Sequence, residues 1–149
     1  MGSKMVDLQH SKGLIALHRY YIWANRLREH FDSVAAAVLT DTYPQTAVFA
    51  DDPGLFLSYW YAALFVVVEG WRDLELKDQQ IDQLLQSPHV DLLRRYRNGV
   101  CHFQRDYCDP RFLDLVGAKG AVPWVRELNL ALGRYFLEKT NSSKPVVAD

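Results

Sequence analysis

Apolar side chains recur at steps of three and four in several separate stretches of this chain, and no stretch alternates as a half-buried strand would. The first stretch predicts a helix from about Asp7 to Val38. Leu14, Leu17, Tyr21, Ala24, Leu27, Phe31 and Val34 form its apolar stripe, with Arg19, Arg26 and Glu29 off it. Asp41 to Pro53 has Asp, Thr, Pro and Gln without a period and reads as a loop. Gly54 to Leu76 predicts a second helix, apolar nearly all round at its start and therefore the central, most buried one. Val66-Val67-Val68 would suit a strand, but the length of the surrounding run and the lack of a hairpin partner favour a helix. Asp78 to Gln86 is a short helix or turn.

Ser87-Pro88 then opens a third long helix, since a serine hydroxyl can cap free N–H groups and proline suits the first helical position. Leu93, Tyr96, Val100 and Phe103 give it a core-facing stripe and extend it through Tyr107. Asp109-Pro110 starts another short helix that stops at Gly117. The last helix covers Val122 to Lys139, with Val125, Leu128, Leu132 and Tyr135 inward. The expectation is an all-α bundle of about four long helices plus short ones. A single domain would cover residues 7–140, between a disordered or cloning-derived segment at 1–6 and a frayed tail at 141–149.

The third long helix carries the densest chemistry, Arg97-Asn98-Gly99-Val100-Cys101-His102. At about 100° per residue, Asn98 and His102 fall almost opposite the apolar stripe, together with Asp91, Arg95 and Asp106. Arg97 lies on the flank, where its long side chain could swing toward His102. Gly99 weakens a helix interior by roughly 1 kcal/mol relative to alanine. It marks either the close approach of another backbone, such as a partner subunit, or a tolerated defect. Glu69 breaks the apolar run of the second helix and needs a partner, because a carboxylate buried alone is costly.

Composition narrows the choices. The chain has 149 residues, 49% of them hydrophobic, which excludes disorder and suits one domain with a real core. A net charge of −1 argues against a broad nucleic-acid coat, while leaving room for a local basic patch. Cys101 and Cys108 would strain a helix as a disulfide, and reduced thiols point to the cytoplasm. No signal peptide is seen, and the Leu55–Val68 run is shorter than the 18 or so residues that span a bilayer, so no membrane is expected. No P-loop or dinucleotide fingerprint is present and no cofactor is expected. His10, His18, His30 and His89 show no E-x-x-H or H-x3-H spacing, which argues against a metal site.

The segment YYIWANRL, residues 20–27, locally resembles the opening helix of DinB-like four-helix proteins, but the histidines that would hold their metal have no match downstream. Arg97-x4-His102, written RNGVCH on the third long helix of an all-helical domain, resembles the HEPN family over roughly Gly54 to Lys139. That resemblance implies a dimer in which motif helices of two subunits form one composite cleft, in many members a metal-independent ribonuclease of toxin–antitoxin, defence or RNA-processing systems. Carried over, Arg97 and His102 would be catalytic, Asn98 would support them, and Glu69 is the positional match for an acidic residue that some members add. RNA would be the substrate, with an antitoxin or a nucleotidyltransferase as a possible partner.

The residue types suit the reaction. RNA cleavage needs a base for the 2′-OH proton and an acid for the leaving 5′-oxygen, and histidine can serve either role near neutral pH. A fixed guanidinium can stabilise the charge gathering on phosphorus. One such histidine per chain is few for both roles, and a dimer supplies two. The alternative is a non-catalytic module binding RNA, nucleotide or a nucleotidyltransferase. Without the resemblance, Arg97 reads as a surface ion pair with Glu69 or Asp106, and His102 and Asn98 as solvated positions. Tyr59, Trp60, Tyr61, Trp71 and Trp124 could stack bases, although helical spacing favours the core. Cys101 and His102 are adjacent on a helix and do not face each other, which argues against a Cys–His nucleophile.

Overall fold

The computed structural model describes residues 2–40 and 52–142. They form six helices and, among the described residues, no strand: α1 (Gly2–Thr40), α2 (Asp52–Asp73), α3 (Gln79–Leu84), α4 (His89–Cys101), α5 (Pro110–Gly117) and α6 (Ala121–Ser142). The all-α bundle is as the periodicity predicts. The expected loop at 41–53 lies outside the described residues except for Asp52 and Pro53, which begin α2; the tail from 143 lies outside them too. The first helix starts at Gly2, ahead of the expected Asp7.

α2 is the centre. Its Trp60, Tyr61, Leu64, Phe65, Val67, Val68 and Trp71 are buried, and it packs on α1 and α4. The helix is longer than its apolar run suggests, and by length and composition alone it could cross a membrane. Here its apolar faces are used within the chain: Leu17 and Ala24 of α1, Leu93 and Tyr96 of α4, and Leu128, Leu132 and Phe136 of α6 complete the same core. The inward residues expected on α6 are all buried, whereas Val122 is exposed. Of the five aromatics weighed as base-stacking candidates, four are core, and Tyr59 alone is half exposed.

Polar contacts pin the helices at defined heights. Buried Asn129 accepts from Trp60 Nε1 at 3.0 Å and donates to Asn25 at 3.0 Å, tying α6 to α2 and α1. Asp78 caps α3 through the N–H groups of Gln80 and Ile81 and accepts Arg134 at 2.7 Å. Asp32 accepts Arg28 at 2.6 Å and Arg126 at 2.7 Å. Burial alone would raise the carboxyls of Asp32 and Asp78. Their hydrogen bonds and arginine charges outweigh it and hold both below the usual carboxylate range.

A depressed native pKa stabilises the fold above the unfolded value, and that stabilisation is lost as pH falls through the native one. The urea midpoint should therefore drop below about pH 4, where carboxylates of the unfolded chain take up protons. In the double variant Asp32→Asn, Asp78→Asn the neutral-pH midpoint should be lower and its fall in acid shallower. An acid limb of unchanged steepness would contradict these assignments.

Candidate functional site at the end of α4

The motif helix is shorter than the sequence predicts. α4 ends at Cys101, and His102 is its extended C-cap (φ −125°, ψ 130°), with its N–H still donating to the Asn98 carbonyl at 3.1 Å. Residues 103–109 leave the helix. Phe103, expected on the core stripe, is instead 90% exposed. The physical reason is a set of contacts from outside the helix. Gln104 Nε2 donates to the His102 carbonyl at 2.8 Å, and Arg111 of α5 donates to the Gln104 side-chain oxygen. One free carbonyl of the helix end, that of His102, is thus met by a side chain, and α5 holds that side chain in place.

Gly99 has a similarly local cause. A Cβ there would stand 3.0 Å from the Phe112 ring and 3.3 Å from Arg111 Cβ, so of the two readings of this glycine the close approach holds, made by α5 side chains of the same chain. Arg95 and Asp114, 2.8 Å apart, fasten the other side of the α4–α5 corner.

Arg97 points away from that corner. Its guanidinium donates to Glu69 Oε1 at 2.6 Å and lies 5.2 Å from the centre of the Phe65 ring. Glu69 is half exposed and Arg97 mostly covered, and the arginine Nε is buried without an acceptor. Packing on one side and a carboxylate on the other fix the guanidinium in one orientation. Of the two ion partners considered from sequence, the arginine takes Glu69; Asp106 instead accepts the Cys108 N–H. Asn98 is partly buried, and its side chain makes no hydrogen bond among the described residues.

His102 is exposed and lines a hollow of about 430 Å³ with Ser58 of α2, Tyr96, Gly99 and Val100 of α4, Phe103 to Cys108 in part, and Phe112 and Leu113 of α5. At its floor the Ser58 and Tyr96 hydroxyls are 3.1 Å apart. Burial pushes the Tyr96 phenol above its usual range, against the pull of its bond to Ser58, so it keeps its proton.

No family model, curated protein or solved structure matches the chain. The residues themselves therefore carry the functional reading. Among the described residues, no group of three or more His, Cys, Asp or Glu side chains is placed to hold a metal ion.

Of the four expected site residues, the structure brings Glu69 and Arg97 together and places neither in the hollow with His102. Glu69 stands about 16 Å further along α2 than Ser58, at 1.5 Å per residue. Ser58, Gln104, Tyr107 and Phe112 were not singled out by the sequence. The apolar spacing runs on through Phe103 and Tyr107, so the first stop signal in the sequence is Asp109-Pro110 and the end of α4 ahead of it leaves no mark.

Proposed function

We propose that the chain is a metal-independent endoribonuclease of the HEPN type, acting as a homodimer whose motif helices share one cleft. The observation that supports it best is the state of the RNGVCH residues: a guanidinium locked by Glu69 and Phe65, and an imidazole presented openly at the end of the same helix. Among the described residues the His102 side chain has no hydrogen-bond or ion partner, so no structural contact accounts for it. Because Arg97 and His102 of one chain do not share a hollow, a second copy is what would bring one chain's arginine to the other's histidine.

In this reading the RNA 2′-oxygen attacks the adjacent phosphorus while one imidazole takes the 2′-OH proton. The P–O5′ bond breaks, and the second imidazole, protonated, gives the leaving 5′-oxygen its proton. Arg97 stabilises the negative charge on the phosphoryl oxygens. Asn98, with a free side-chain amide, would hold substrate or motif in place. Glu69 is a positioning residue that sets the guanidinium. As a toxin of a toxin–antitoxin or defence system, such an enzyme would be silenced by a partner covering the cleft.

The test is the chemistry of the products. Labelled RNA incubated with the protein in EDTA should yield 2′,3′-cyclic phosphate and 5′-hydroxyl ends, and light scattering should give a dimer. Cleavage that requires a divalent cation and leaves 5′-phosphates would contradict the proposal. A second reading, a non-cleaving RNA- or partner-binding module, is favoured by the net charge of −1 and by the carboxylate already occupying Arg97. RNA bound in EDTA but left intact would select it.

A further inference from the structure

We infer that the hollow beside His102 is a nucleobase-binding subsite, which seats one unstacked base of single-stranded RNA between Phe103 and Tyr107. The inference rests on the RNA reading above and names the part of the substrate that this surface takes.

The residues describe the ligand. Phe103 is 90% exposed and Tyr107 69% exposed, although large rings gain free energy by leaving water. Both line the same hollow, whose size of about 430 Å³ falls in the range of small-ligand sites. Its walls are aromatic and its edges polar. Asp106 uses one carboxylate oxygen for the Cys108 N–H, leaving the other as an acceptor at the rim. At the floor, the Ser58 and Tyr96 hydroxyls spend one proton on each other, and two hydroxyls carry two, so one donor remains.

A flat ring with apolar faces and donors and acceptors around its edge meets all of these demands at once. An aliphatic side chain from a protein would fill the volume but leave the spare hydroxyl proton at the floor without an acceptor, which is costly. Stacking on exposed rings is how proteins hold single-stranded bases.

The position also fits. His102 shares the hollow, so a base seated there places its own ribose and phosphate beside the imidazole proposed to move the proton. The loop that carries both rings is held by Gln104 and Arg111 on one side and by Asp109, which caps α5 through the Arg111 N–H, on the other. The rings are therefore presented in advance of binding, and little ordering cost is left for the ligand.

The test uses a single-stranded hexaribonucleotide with 2′-O-methyl riboses, which binds but cannot be cleaved by 2′-oxygen attack, and its abasic counterpart with the same phosphates. Binding is measured by calorimetry for the parent, Phe103→Ala and Tyr107→Ala, with light scattering on each. Both side chains are exposed, so the variants should fold as the parent does. The parent should bind the base-bearing oligomer, Phe103→Ala should weaken it about tenfold or more, and the abasic oligomer should bind the parent as weakly as the base-bearing one binds the variant.

Equal affinity in all three proteins, equal affinity for the abasic oligomer, or no binding by the parent would overturn the subsite. So would a change of oligomeric state in Phe103→Ala without a change in affinity, which would make the hollow a protein contact. Cleavage of unmodified RNA, followed in parallel, separates the two claims. Cleavage that needs His102 but ignores Phe103 defeats the subsite alone. Phe103-dependent binding without cleavage defeats the nuclease alone.

Discussion

Replacing His102 by alanine is expected to lower the rate of RNA cleavage by about 10²- to 10⁴-fold, the usual contribution of a positioned acid–base group. The melting temperature should hardly move. His102 is exposed and its backbone makes the cap hydrogen bonds, so alanine removes the imidazole and leaves α4 in place. In the proposed dimer the substitution removes both histidines together, acid and base alike, which argues for the upper part of the range. Arg97→Ala should cost comparably, because a fixed guanidinium acts where charge develops in the transition state. Its structural effect should be larger than that of His102→Ala, since it uncovers Phe65 and leaves Glu69 without its partner. A loss of activity in His102→Ala that tracked a loss of helicity by circular dichroism would contradict this account.

The second large effect concerns the core. Trp60 is fully buried at the meeting of α1, α2 and α6, edge-on to Tyr61 at 5.0 Å and tilted against Phe31 at 5.8 Å, with Arg126 at 5.3 Å over its ring. Trp60→Ala should destabilise the fold by about 3–5 kcal/mol from lost burial and the cavity left behind. Buried Asn129 would also lose its donor, and an unsatisfied buried amide costs a further 1–3 kcal/mol or so. For a chain of this size the melting temperature should drop by about 10 °C or more, if the variant folds at all. Trp60→Phe keeps the ring and loses the N–H, and should cost less than half as much. Urea denaturation followed by far-ultraviolet circular dichroism measures both. A cost below 1 kcal/mol for Trp60→Ala would show that α2 is not the centre of the core.

The sequence makes the helices legible because each long one hides a stripe against α2, and such a stripe repeats with the helical period whatever it packs on. The inward side chains of α1 and α6 follow directly from that. Glu69 was legible as a carboxylate needing a partner, and Arg97 as a cation with Glu69 within its choices. The error was at the end of α4. Phe103 has the right spacing for a buried position, and neither glycine nor proline follows Cys101 to stop the helix. The stop comes from Gln104 turning back on the His102 carbonyl while Arg111 holds Gln104 from α5. A contact between residues of different elements leaves no period to read. Gly99 behaves alike: the sequence shows a weak point in a helix, and only the packed structure shows Phe112 lying over it. The hollow was invisible for the same reason, being built from Ser58, the residues after His102 and α5 together.

The central claim is that Arg97 and His102 form a metal-independent RNA-cleaving site, and one assay tests it most directly. A single labelled RNA is incubated in EDTA with the parent, His102→Ala and Arg97→Ala, each shown to be folded. The account predicts cleavage by the parent that survives the chelator and is lost in both variants. Equal cleavage by all three, or intact RNA with the parent, would contradict it.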